Sequence, residues 1–119
     1  VVDERSEIGG AYKGIPQNDL GSRTDWLATC PKSEGILMLI RTMSPEIIAV
    51  DELGGKEDIE AIKRALNSGV RILATIHGDN YKSISNQNNF KEIINNKYFS
   101  GLLFIMCLTA ITQILIAAN

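Results

Sequence analysis

Apolar residues gather along the chain in runs of different period, and each run predicts an element. Residues 33–43, S-E-G-I-L-M-L-I-R-T-M, read as a largely buried helix. It begins near Pro31 and stops at Ser44-Pro45, because proline disfavours helix in the residue before it. Ile47 to Val50 is a short apolar run bounded by proline on one side and acids on the other, which suits a fully buried strand. In the stretch G-G-K-E-D-I-E-A-I-K-R-A-L-N-S-G that follows, Ile59, Ile62, Ala65 and Leu66 fall on one helical face and Lys56, Glu60, Lys63 and Arg64 on the other. Gly69 is a natural stop for that helix. Residues 70–76, V-R-I-L-A-T-I, make a second buried strand, so strand, helix and strand form a parallel βαβ unit. Val1-Val2 fits the tail of a third strand. Residues 9–35 are rich in Gly, Pro, Asn and Asp and read mostly as loop, with a short helix at 25–29. A polar stretch, G-D-N-Y-K-S-I-S-N-Q-N-N, precedes a short helix at 90–95.

Composition narrows the class. At 119 residues, 45% apolar and 22% charged, the chain is one globular domain at most. Its net charge of −2, without a basic block, argues against nucleic acid as a partner. Cys30 and Cys107 form no C-x-x-C pair, and with one histidine they exclude an ordinary zinc site. No signal peptide opens the chain, and the missing initiator methionine reads as a fragment or partial reading frame.

The candidate chemistry lies where the strands end. Aligned by their carboxyl ends, the strands close on V-V-D-E, I-I-A-V-D-E and I-L-A-T-I-H-G. Ligands of open parallel sheets bind beyond those tips, so Asp3, Glu4, Asp51, Glu52 and His77 are expected to converge on one edge. Two acids after four apolar residues are the pattern of a Walker B strand, whose first acid orients Mg²⁺ and whose second polarises the attacking water. Such acids also occur at ordinary helix starts. His77 is read either as a sensor near the γ-phosphate or as a histidine hydrogen-bonded to loop backbone. Arg23 and Arg41 are surface arginines or phosphate contacts, for which the guanidinium fork is suited. Glu4 and Arg5 can pair with each other.

The segments V-V-D-E-R-S-E-I, G-I-P-Q-N-D-L-G-S-R-T-D-W through I-I-A-V-D-E-L-G-G-K-E-D-I-E-A-I, and A-L-N-S-G-V-R-I-L-A-T-I-H-G closely resemble, in order, the stage III sporulation protein AA family. These are P-loop ATPases related to the secretion ATPases. The resemblance implies a three-layer αβα RecA-like core using ATP and Mg²⁺, in a cytoplasmic protein peripheral at the membrane. It implies a motor for the channel joining mother cell and forespore, with membrane proteins of that channel as partners and a homo-oligomeric ring as the working form. Carried over by position, Asp51 is the Mg²⁺-associated acid and Glu52 the catalytic carboxylate. His77 falls in the family's histidine segment, and Glu4 becomes a second water-positioning acid. Arg23 and Arg41 become γ-phosphate contacts, supplied across a subunit interface.

Two departures qualify this. No G-x-x-x-x-G-K-[ST] loop is present, so the family's loop is expected upstream of Val1 and the 119 residues are not expected to hydrolyse ATP alone. The resemblance also fades near Phe99. Residues 102–118 run 17 positions without a charge, the short limit of a membrane span. They read as a buried or aberrant terminal helix, and the abrupt loss of charge is what a shifted reading frame leaves. The competing functions are a nucleotide-inactive αβα module binding a partner or membrane through that tail, and another secretion or DNA-handling ATPase.

Overall fold

The computed structural model describes residues 1–78, 81–95, 99–106 and 112–118. Its strands are β1 (Val2–Asp3), β2 (Leu27–Ala28), β3 (Ile47–Val50), β4 (Arg71–His77), β5 (Phe99–Met106) and β6 (Thr112–Ala118). They form a single sheet in the order β2-β1-β3-β4-β6-β5. The first four are mutually parallel, with Val2 opposite Leu27 and Val50, and Ile47–Val50 in register with the start of β4. β6 runs antiparallel to both β4 and β5.

The helices are α1 (Lys32–Thr42), α2 (Lys56–Asn67), α3 (Tyr81–Asn86) and α4 (Asn88–Asn95). α1 buries Gly35, Ile36 and Leu39, and α2 buries Ile59, Ala61, Ile62 and Ala65. These side chains meet Ile48, Val50, Ile72, Ala74 and Ile76 from one face of the sheet, together with Ile84, Phe90 and Ile93 from α3 and α4. Each fully buried aliphatic side chain stabilises the fold by about 1.5–3 kcal/mol. α1 lies close on β1 because Gly35 has no side chain: a Cβ there would sit 2.8 Å from Val2 and 2.9 Å from Cys30. α2 closes on Gly69, whose φ of +81° is the left-handed conformation glycine adopts without steric cost.

The βαβ unit and the α/β class thus match the sequence reading, while four details differ. Residues 25–29 hold the short strand β2 instead of a helix, because Leu27 and Ala28 have parallel partners waiting on β1. Residues 81–86 of the polar stretch form α3, whose Ile84 joins the core. The uncharged tail forms two strands, not a helix, within its described residues. An apolar run fits either period, and Ile105, Thr112, Ile114 and Ile116 are β-branched. Finally, the described helices form one layer. Every described helix feeds the same core, so alternate residues on the other sheet face, Ile47 and Leu73 among them, remain exposed, and among the described residues no helix covers that face. Among the described residues no helix is long and apolar enough to cross a membrane.

Candidate functional site

Because β1, β2, β3 and β4 are parallel, their carboxyl ends share one edge of the sheet. The chain leaves that edge through tight turns. Ser6, Thr29 and Glu52 follow β1, β2 and β3, and all have φ between +33° and +59°. Side-chain-bearing residues adopt this conformation only where surrounding contacts enforce it, and such strain collects at functional sites. At Glu52 the enforcing contacts come from β4. The Glu52 amide donates to Thr75 Oγ1 at 2.9 Å, and the next amide, Leu53, donates to the Thr75 carbonyl at 2.8 Å.

Asp3, at the tip of β1, is completely buried. Its Oδ1 accepts from the Glu7 amide at 2.9 Å, and its Oδ2 accepts from the Gly9 amide at 2.8 Å and the Trp26 indole at 3.0 Å. Burial raises the affinity of this carboxyl for a proton. The hydrogen bond from Gly9, with those of Trp26, Ile8 and Glu7, outweighs burial and holds Asp3 below its ordinary range. Its acceptor capacity goes into folding residues 4–9 back over the strand end.

Asp51, just past β3, is also buried, yet neither carboxylate oxygen has a hydrogen-bond partner. Burial pushes this carboxyl above its ordinary range, with Lys32 pulling the other way and Asp3 and Glu52 adding repulsion. The Lys32 ammonium stands 3.8 Å from Asp51 Oδ1 and 3.3 Å from Glu4 Oε2. Glu52 points to the rim of the cluster. Its Oε1 accepts from His77 Nε2 at 2.6 Å, and its Oε2 pairs with Arg5 Nη1 at 3.1 Å. The hydrogen bond from His77 is the main reason Glu52 lies below its ordinary range, with burial opposing and the charges of His77, Arg5 and Lys32 assisting.

Four of the expected site residues, Glu4, Asp51, Glu52 and His77, therefore come together. Glu4 and Arg5 do not pair with each other: each reaches a different partner across the edge. His77 bonds a carboxylate, not loop backbone. Arg23 and Arg41 stand apart from the acids. Arg23, 90% exposed, approaches Glu46 at 3.9 Å where the chain enters β3. Arg41 lies in the last turn of α1, roughly 13 Å along the helix from Lys32 at 1.5 Å per residue. Both belong to the opposite edge of the sheet.

Sequence reasoning missed Lys32. Its lysine sits at the first position of α1, where the helix dipole disfavours a cation, and that misplaced charge is the signal that could have found it. Recognition also required β2, whose end delivers Pro31 and Lys32 to the acidic edge.

The residues suit Mg²⁺ in a limited sense. Among the described residues no three His, Cys, Asp or Glu converge as a metal cluster. Mg²⁺ keeps several waters and needs only one or two carboxylates, and the unsatisfied oxygens of Asp51 offer that. A nucleotide fits less completely, since these 119 residues include no phosphate-cradling loop sequence.

Comparison with known proteins now decides the family. The family described as Sporulation stage III, protein AA matches residues 1–113. The chain belongs to it. The match runs past Phe99, where the resemblance was expected to fade, and into β6. A Bacillus subtilis (strain 168) protein named Stage III sporulation protein AA is 43% identical over 103 residues, covering 87% of this chain and 34% of that protein. The chain thus spans about a third of the length of this relative. No solved structure matches it.

Proposed function

We propose that this member of the stage III sporulation protein AA family carries the metal-and-water side of a P-loop ATPase. In this reading it is a RecA-like core that powers the sporulation channel. The observation that carries the reading is the buried Asp51 carboxylate, with both oxygens lacking a hydrogen bond, beside Glu52 at the tip of β3. Asp51 would hold Mg²⁺ through the ion's hydration shell, and a bound ion would supply positive charge beside the phosphates. Glu52, kept ionised by His77 and Arg5, orients the attacking water. His77 ties Glu52 to β4, which suits it to relay the state of the γ-phosphate. Glu4 is a second acid on the same edge. Arg23 and Arg41, on the far edge, serve a neighbouring subunit's nucleotide in a homo-oligomeric ring. The protein works in the cytoplasm, against the membrane proteins of the channel.

The test uses a longer chain that includes the family's phosphate-binding loop. Glu52→Gln retains ATP binding while hydrolysis falls by about 10²-fold or more, the contribution of a positioned general base. Turnover close to that of the unsubstituted protein removes Glu52 from the mechanism.

A further inference from the structure

Four carboxylates crowd the acidic edge: Asp3, Glu4, Asp51 and Glu52. Asp3 accepts hydrogen bonds from three donors, and Glu52 is held by an ion pair with Arg5 and a hydrogen bond with His77. Among the described residues Glu4 and Asp51 are left to one cation, the ammonium of Lys32, whose side chain is only 8% exposed. The 3.8 Å separation from Asp51 Oδ1 exceeds hydrogen-bond length, so Lys32 supplies charge there without satisfying either oxygen. We infer that Lys32 is an internal counterion that occupies the electrostatic position of the divalent cation and must yield when that cation binds.

The inference rests on the reading of Asp51 as the cation-facing acid and adds a regulatory element to it. Lysine is suited to such a role. Its ammonium is a compact charge on a flexible four-carbon stem, so it can withdraw without moving α1. Two like charges cannot share a small, poorly hydrated space, because Coulomb repulsion at 4 Å is severe at the edge of a protein interior. The position at the first residue of α1 strengthens the argument. The helix amino end itself repels Lys32, and among the described residues it is Glu4 and Asp51 that hold the ammonium in place. The arrangement lowers the affinity for free cation and keeps the buried Asp51 tolerable until a cation arrives with its ligand.

Mn²⁺ binding to the 119-residue chain, followed by electron paramagnetic resonance without nucleotide, tests this. Lys32→Gln should bind Mn²⁺ at least about tenfold more tightly than the unsubstituted chain, and Lys32→Arg should bind like it. Equal or weaker binding by Lys32→Gln overturns the inference, as does absence of binding to every form. A second measurement needs no variant. Acetylation of Lys32 by an activated ester, read by mass spectrometry, should be slow in EDTA and should accelerate severalfold when Mn²⁺ is bound. Unchanged labelling with Mn²⁺ bound overturns the inference even where Lys32→Gln fails to fold. Either failure leaves the Glu52→Gln hydrolysis result standing, so the two readings fall separately.

Discussion

The tips of β1 and β3 are neighbours in one parallel sheet, and each presents a buried aspartate, yet the two are opposites in electrostatic terms. Asp3 accepts three hydrogen bonds and is held below the ordinary carboxylate range. Asp51 accepts none and is pushed above it. A carboxylate enclosed by amides and an indole stabilises the fold it closes. A carboxylate buried without donors costs stability and persists where a ligand requires it. On the proposed reading, the difference separates an acid that builds the site from an acid that the site presents to a ligand. It also fixes opposite pH signatures. The contribution of Asp3 is fully present above the ordinary carboxylate range and is lost as pH falls through its lowered folded value. The charge of Asp51 costs stability at neutral pH, and that cost is relieved as pH falls through its raised folded value.

The largest effect expected is at Asp3. Asp3→Ala leaves the Gly9 and Glu7 amides and the Trp26 indole without their acceptor, which should destabilise the chain by about 3–5 kcal/mol in urea denaturation. A loss below about 1 kcal/mol would make the loop over β1 independent of Asp3. Next is the packing that seats those donors. A Cβ at Gly9 would lie 2.7 Å from Trp26 Nε1, so Gly9→Ala should cost about 1–3 kcal/mol and red-shift the tryptophan emission as the indole is displaced. Asp51→Asn carries the smallest change and the opposite sign. Without divalent cation at pH 7 it should leave stability unchanged or raise it by up to about 1 kcal/mol, measured by the same denaturation. A clear destabilisation would show that Asp51 supports the fold as Asp3 does.

Much of this contrast was legible in the sequence, and particular residues show where legibility stopped. Period gave α1, β3, α2 and β4 within a residue or two, and the polar end of each apolar run located the acidic edge. The parallel alignment alone then brought Glu4, Asp51, Glu52 and His77 together. What could not be read depended on partners distant in sequence. Leu27 and Ala28 become a strand only because β1 offers its edge, and Lys32 becomes part of the site only because β2 ends there. Asp3 and Asp51 follow similar apolar residues, and nothing local reveals that Gly9 and Trp26 will satisfy one and leave the other unmet. The uncharged tail was ambiguous for a different reason. Uniform hydrophobicity carries no period, so helix and strand were equally compatible with it.

The most direct test of the account is a carboxyl-carbon NMR titration of the chain labelled at its aspartate side chains, recorded without divalent cation. The account predicts that Asp3 titrates below the ordinary carboxylate range and Asp51 above it, with Asp51 moving further up in Lys32→Gln. Coincident titration of the two, or an Asp51 that titrates below Asp3, would contradict the claim that the sheet presents Asp51 while using Asp3 to close its fold.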